Sequence, residues 1–309
     1  MKIVWPSYMG IDERHLALEA IYLSRFAYYP ESEVDEWRST TAPLTVLEKP
    51  ILLNGVFDAQ AMVFQYESVM NKNLLAVGVS GSNSVKDYVC NLTIVPTGSD
   101  LFPENVRLHT GFLEQALALL PLLECVTARL ESGEPVLFTG YSLGSSVAGI
   151  LAALFAQRFP KQVFYIGFGN PCTGNDAFDQ LLNNNTVLAI NVQNCHDPIC
   201  NIVLPPFVHC GTDVHIGESM RSYFPDALNG FDHLTVHYIA NLKADCDELQ
   251  THPLDFVKSI FSNLLKFKNT YLSTWSWYTT ILRLTLAQPV MAAGQAYAHF
   301  LQNLLQIHV

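Results

Sequence analysis

Short apolar runs alternate with longer amphipathic or Ala-rich stretches over the first two thirds of the chain. Residues 12–29 carry apolar side chains at helical spacing, which predicts an amphipathic helix. The predicted strands are residues 44–56, 62–66, 73–81, 136–139, 162–168 and 186–192. The other predicted helices are residues 114–130, broken at Pro121, and residues 145–157. Strands that alternate with helices in this way predict an α/β fold, with a mostly parallel central sheet and helices on both faces.

A polar stretch near residue 250 is the one boundary that the pattern predicts. We expect residues 1–250 to form the α/β domain and residues 251–309 to form a helical C-terminal extension. In the extension, residues 257–265 carry an apolar stripe at helical spacing, and Trp275, Trp277 and Tyr278 follow. Two interpretations stay open for the extension: a helical cap packed on the domain, or an interfacial element with a basic polar face.

Composition and charge favour a globular protein with a large core and argue against a nucleic-acid-binding protein. Half of the residues are apolar and 15% are charged, which is enough apolar material for a large buried core. The net charge of −11 argues against nucleic-acid binding, because phosphate recognition needs a basic surface. The charge is uneven: residues 256–309 carry +4 and no carboxylate, and the first 255 residues carry −15. This asymmetry predicts a different partner for the extension, such as a membrane or lipid surface.

The cysteines and the first residues bear on the compartment. The seven cysteines are an odd number scattered through a long chain, which argues against a disulfide framework. The first ten residues, MKIVWPSYMG, contain no apolar run of the kind found in a secretory signal peptide. We therefore expect a cytoplasmic protein, or one that is exported without an N-terminal signal peptide.

The strongest chemical motif is the G-x-S-x-G sequence at residues 140–144, GYSLG, which lies between a predicted strand and a predicted helix. A sharp strand-to-helix turn lifts the serine hydroxyl clear of the sheet, and glycines on either side permit the close approach. The amide of the next residue, Leu143, then faces an oxyanion at the helix N-terminus. The pattern predicts that Ser142 is a nucleophile; the alternative is an ordinary Gly-Ser turn.

A serine nucleophile needs a base and an orienting carboxylate, which follow it in the order acid, then histidine, in this type of fold. Asp197 follows the strand predicted at residues 186–192, and His233 comes later, before an apolar stretch. We predict a triad of Ser142, Asp197 and His233. Asp213 is the alternative acid, and His237 is the alternative base.

Six segments, in order, resemble motifs of the class 3 (fungal-type) lipases, a family of α/β hydrolases. They are residues 79–92, 109–112, 140–144, 169–178, 197–206 and 233–238. The resemblance implies an ester hydrolase acting on acyl lipids, of the triacylglycerol or diacylglycerol lipase type or the phospholipase A type. It implies that Ser82 completes the oxyanion hole with Leu143. Residues 84–93 have the amphipathic pattern of a short helix; a fixed surface helix is the alternative, and the resemblance favours a lid. We expect His109 to be structural and to hydrogen-bond the loop beneath the nucleophile. No cofactor or metal is implied.

The chain departs from the family pattern at several positions, and two extra residues separate Asp197 from the Leu-Pro-Pro sequence. Ser80 replaces an arginine before the oxyanion loop, Tyr141 stands where many members have histidine, and Ser145 replaces a second glycine. These departures leave a rival hypothesis, a catalytically silent lipase-fold protein that binds a partner protein or a lipid. The intact Ser-Asp-His order favours the enzyme. The cysteines and histidines between residues 195 and 215 have irregular spacings, so we expect no metal site there.

Overall fold

The computed structural model describes residues 9–28, 44–46, 51–54, 60–81, 95–130, 133–194, 197–200, 205–217 and 233–245. Several predictions made from the sequence fall outside these ranges. They are the lid at residues 84–93, the oxyanion residue Ser82, the boundary near residue 250 and the helical extension at residues 251–309.

The described residues form an α/β domain. Its helices are α1 (Ile11–Phe26), α2 (Thr110–Ala118), α3 (Pro121–Arg129), α4 (Leu143–Arg158), α5 (Asp176–Asn185) and α6 (Thr235–Asp245). Its strands are β1 (Thr45–Val46), β2 (Ile51–Asn54), β3 (Gln60–Glu67), β4 (Leu74–Val79), β5 (Pro96–Thr97), β6 (Leu108–His109), β7 (Val136–Tyr141), β8 (Val163–Phe168), β9 (Leu188–Asn194) and β10 (Thr212–Ile216).

Eight strands form the central sheet, in the order β1-β3-β4-β7-β8-β9-β10, with β2 also paired to β3. The strands from β4 to β10 in this order run parallel, whereas β1, β2 and β3 pair antiparallel. Strands β4, β7, β8 and β9 are buried along their whole length. This is expected of parallel strands whose two faces are both covered. The predicted α/β-hydrolase architecture is confirmed, including its mostly parallel sheet.

Helices cover both faces of the sheet and form two apolar cores. Helices α1 and α6 pack together on one face, over a core that includes Leu16, Tyr22 and Phe168. Helices α2, α4 and α5 lie on the other face, over a core that includes Phe138, Val147 and Leu151. Helix α4 is buried for most of its length because its Ala, Gly and Ser residues let it lie close to β7 and β8.

The break at Pro121 is confirmed, although the first helix begins at Thr110, four residues earlier than predicted. Proline occupies the first turn of α3, where its missing N–H costs no intrahelical hydrogen bond. The axes of α2 and α3 differ by 52°. Among the described residues no single helix is long and apolar enough to cross a membrane; only this bent pair passes that test, by length and composition.

Candidate active site

A tight turn between β7 and α4 presents Ser142. Ser142 has a φ of 57° and a ψ of −132°, a backbone conformation that L-residues rarely adopt. The turn closes because Gly140 and Gly144 have no side chains: a Cβ on Gly140 would overlap the carbonyl of Gly144, and one on Gly144 would overlap the carbonyl of Val79. This is the strained strand-to-helix turn that exposes a nucleophile in α/β hydrolases.

Three side chains from distant parts of the sequence form one hydrogen-bonded chain at the ends of the parallel strands. The Ser142 Oγ lies 2.9 Å from Nε2 of His233. The Nδ1 of His233 lies 2.9 Å and 2.8 Å from the two carboxylate oxygens of Asp197. With Nδ1–H donated to the carboxylate, Nε2 is free to accept the Ser142 hydroxyl proton. The arrangement therefore has the geometry of a nucleophile, a base and an orienting acid.

The carboxylate of Asp197 is fully buried, yet it has several donors. The Tyr238 hydroxyl donates to Oδ2 at 2.5 Å, and the Ile199 N–H donates to Oδ1 at 2.8 Å. Burial by itself raises the pKa of Asp197, but the neighbouring His233 and these donors outweigh burial and hold the pKa below its usual value. Asp197 is therefore ionised at neutral pH. The Asn194 N–H donates to the Tyr238 oxygen, which fixes that hydroxyl.

Sequence reasoning missed the supporting roles of Tyr238, Tyr141 and Gly169. The sequence marks Tyr238 only as a position in a family motif, and Tyr141 only as a departure from the family. Gly169 follows β8 with a φ of +58°, and a Cβ there would lie 2.9 Å from Cε1 of His233 and 3.1 Å from Oδ2 of Asp197. Only glycine fits at this position, next to the imidazole of His233 and the carboxylate of Asp197. A glycine directly after a buried strand, next to the elbow strand, is a signal that could have pointed to it.

The oxyanion side of the site is described in part. The N–H of Leu143 belongs to the first turn of α4, where amides have no partner within the helix. Ser80 replaces the expected arginine, and its N–H and hydroxyl both donate to the carbonyl of Gln60, at 2.9 and 3.1 Å. The Tyr28 hydroxyl lies next to Gly81 and donates to the Tyr141 carbonyl at 3.4 Å. These contacts hold the described start of the oxyanion loop.

The rival acid, Asp213, has different partners. It lies on β10, where His209, Asn191 and Gln193 contact its carboxylate at 3.2, 2.9 and 2.7 Å. Burial disfavours protonation of His209, but the hydrogen bond that its ring donates to Asp213 and the neighbouring Cys172 outweigh burial and raise the pKa of His209 to about 10. Asp213 thus contacts His209, whereas the acid that contacts His233 is Asp197.

The rival base, His237, is 5% exposed and lies within α6, one turn after His233. The structure brings His233, and not His237, against Ser142. In the part of the chain that is described, no three histidine, cysteine or acidic side chains are grouped so that they could hold a metal ion. Cys195 and His196 lie outside that part.

The prediction that the His109 ring hydrogen-bonds the loop beneath the nucleophile is wrong. The imidazole is 2% exposed, and neither ring nitrogen has a hydrogen-bond partner among the described residues. The ring instead stacks on Phe112, with centroids 4.1 Å apart, and lies 5.6 Å from Phe207. Burial in these surroundings lowers the pKa of His109 to about 4, so the ring is neutral at pH 7.

Comparisons with known proteins identify the family that this chain resembles. Residues 76–207 match the family model described as lipase (class 3). The resemblance to the class 3 lipases is confirmed. The matched segment contains the elbow and Asp197, whereas His233 lies beyond it.

Individual lipases are similar to this chain at low sequence identity. A secreted mono- and diacylglycerol lipase of Fusarium solani is 27% identical over 166 residues, which cover 52% of this chain and 48% of the relative. The chain therefore matches about half the length of that protein. The triacylglyceride lipase of Rhizomucor miehei has a TM-score of 0.55 at 19% identity, covering 79% of this chain and all of the other. Lipase II of Rhizopus niveus has a TM-score of 0.56 at 17% identity, and the match covers 75% of this chain and 96% of the other.

Proposed function

We propose that this protein is a serine hydrolase that cleaves the carboxylic esters of acylglycerols. The observation that carries the proposal is the continuous hydrogen-bonded chain from Ser142 through His233 to Asp197. The class 3 lipase match over residues 76–207 supports the reaction class. A scaffold protein has no physical reason to keep a strained serine within 3 Å of a base that a buried carboxylate orients.

The geometry supports a two-step mechanism. The Ser142 Oγ attacks the ester carbonyl carbon while its proton passes to Nε2 of His233, and Asp197 stabilises the imidazolium. The oxygen of the tetrahedral intermediate accepts the N–H of Leu143, and Ser82 is proposed to supply the second donor. Collapse of the intermediate breaks the carbon–oxygen bond, and the alcohol leaves with the proton from His233. Water then attacks the acyl-enzyme by the same route and releases the fatty acid.

The substrate is proposed to be a neutral acylglycerol rather than an anionic phospholipid. The net charge of the first 255 residues, −15, repels anionic headgroups. The Fusarium solani relative is named as a lipase of mono- and diacylglycerols, which have uncharged headgroups. That relative is also named as secreted, so we propose export for this protein. The comparisons do not support the expectation of a cytoplasmic location.

The test is turnover of emulsified monoolein, diolein, triolein and a phosphatidylglycerol by the wild-type protein and by Ser142→Ala. The proposal expects fatty-acid release from the neutral lipids that the substitution abolishes. Faster turnover of the anionic phospholipid than of any acylglycerol would contradict the substrate assignment. Equal release by wild type and Ser142→Ala would contradict the reaction itself.

A further inference from the structure

Tyr141 contacts the residue that carries the proposed base. It is the last residue of β7, directly before Ser142, and it is 5% exposed. Its hydroxyl donates to the backbone carbonyl of His233. Its ring packs on the imidazole of His233, with centroids 4.9 Å apart and planes inclined at 30°. One side chain thus contacts both the backbone and the ring of His233.

His233 lies just before α6, outside the strands of the sheet. It precedes the first residue of that helix, Thr235, by two positions. In the first turn of α6, the amides of His237 and Tyr238 donate to the carbonyl of Leu234. The carbonyl of His233 accepts the hydroxyl of Tyr141, which comes from the end of β7.

Tyr141 is itself held in place by the sheet and by neighbouring side chains. Strand β7 is paired with a parallel strand on each side, β4 and β8. The backbone carbonyl of Tyr141 accepts a hydrogen bond from the hydroxyl of Tyr28. The ring of Tyr141 also packs edge-on against the ring of Tyr238, with centroids 6.2 Å apart and planes inclined at 71°. The nucleophile and the residue that holds the base are thus adjacent in the same strand-to-helix turn. Any displacement of His233 relative to Tyr141 also changes its distance from Ser142.

We propose that Tyr141 is a positioning residue that sets the distance between Nε2 of His233 and Oγ of Ser142. It donates to the backbone of His233 and takes no part in proton transfer. The inference rests on the proposed function, because the distance matters only if the two atoms react. It also gives a physical role to a position where the chain departs from many class 3 lipases.

The test replaces Tyr141 by phenylalanine, which removes the hydroxyl and keeps the ring. Turnover of a soluble p-nitrophenyl ester is measured per site titrated with a fluorophosphonate, so that unfolded protein does not count. We expect kcat to fall roughly 10-fold or more with KM nearly unchanged, because a small misplacement of a catalytic group is costly in rate. The matched control is Tyr66→Phe, which removes a buried hydroxyl that donates to Glu19 at 3.0 Å, outside the site. Its kcat per titrated site should equal that of the wild type.

A second measurement detects positioning directly. The proton on Nδ1 of His233, shared with Asp197, gives a low-field proton NMR signal, and we expect this signal to shift or broaden in Tyr141→Phe and not in Tyr66→Phe. An unchanged kcat per site in Tyr141→Phe, or an equal loss in both variants, would overturn the inference while leaving the proposed function intact. Hydrolysis that survives Ser142→Ala would instead overturn the proposed function.

Discussion

At the scale of single residues, the proposed chemistry depends on contacts between groups that are far apart in sequence. His233 is 91 positions from Ser142 and 36 from Asp197, yet it contacts both at hydrogen-bond distance. The carboxylate of Asp197 stays ionised although it is fully buried, because His233 and the donors Tyr238 and Ile199 outweigh the cost of burial. The proposed triad therefore includes supporting donors as well as its three side chains.

Replacing His233 tests the assignment of the base. His233→Ala removes the only acceptor within reach of the Ser142 proton among the described contacts, so kcat should fall on the order of 10³-fold or more. His237→Ala is the matched control, one helical turn away and equally buried. It should keep kcat within a few fold per folded molecule. Steady-state turnover of a soluble ester measures both variants. If the His237 variant is inactive and the His233 variant is active, His237 and not His233 is the base.

The sequence predicts the three proposed catalytic residues better than the neighbouring residues that hold them in place. The order Ser142, Asp197, His233 follows from a motif and from the order of partners in α/β hydrolases. The donor Tyr238 could not be inferred in the same way, because its contact with Asp197 depends on how α6 packs against the loop after β9. His109 shows the opposite error: we expected its ring to hydrogen-bond the loop beneath Ser142, but the ring instead packs against Phe112 and Phe207.

At the scale of elements, the alternation of apolar runs predicts the strands that are buried on both faces. β4, β7, β8 and β9 all lie within two residues of their predicted bounds. The edge strand β10 was not predicted, because its burial alternates and Asp213 and His215 are exposed. Its existence depends on parallel pairing with β9, which is a contact between distant segments.

Gly144→Ala tests the close approach of α4 to β4. A Cβ at this position would overlap the backbone carbonyl of Val79, and backbone atoms within a paired strand cannot yield. We expect a loss of about 1 to 3 kcal/mol in the free energy of unfolding, and a fall in kcat because the Leu143 amide moves with the helix. Denaturant titration and ester turnover measure the two effects.

The control for this substitution lies in the same helix. The three atoms nearest to a Cβ on Gly149 would all belong to the side chain of Tyr165, the closest at 3.2 Å, and none to the backbone. Alanine also favours a helix over glycine by up to about 1 kcal/mol. Gly149→Ala should therefore leave stability within about 1 kcal/mol of the wild type and keep kcat. If Gly144→Ala is as stable and as active as Gly149→Ala, the close approach is not required.

At the scale of the whole molecule, buried His109 makes stability depend on pH. Its pKa is about 4 in the fold and 6.5 when unfolded, so between these values the unfolded chain binds more protons and stability falls as the pH falls. We expect a loss on the order of 2 to 3 kcal/mol from pH 7 to pH 4.5. His109→Phe should remove this part of the loss, as measured by denaturant titration at both pH values. The same pH dependence in the variant would contradict the assignment.

The uneven charge of the chain leads to a prediction for residues 256–309, which carry +4 and lie outside the described residues. If they contact lipid surfaces, truncation after residue 255 should weaken binding to anionic vesicles, because each basic residue near such a surface contributes about 1 kcal/mol. Turnover of a soluble ester should be almost unchanged, and high salt should weaken vesicle binding by the full chain in the same way. Equal loss of activity on vesicle lipid and on the soluble ester would favour the alternative, a helical cap.

The central claim is that Ser142 is a nucleophile activated by His233. The most direct measurement is incubation with a fluorophosphonate, followed by peptide fragmentation to locate the adduct among Ser142, Ser145 and Ser146. The account predicts one adduct, on Ser142, that forms rapidly in the folded wild type and is strongly slowed in His233→Ala. The absence of an adduct on the folded protein, or an adduct on a different serine, would contradict the account and favour a catalytically silent protein with a lipase fold.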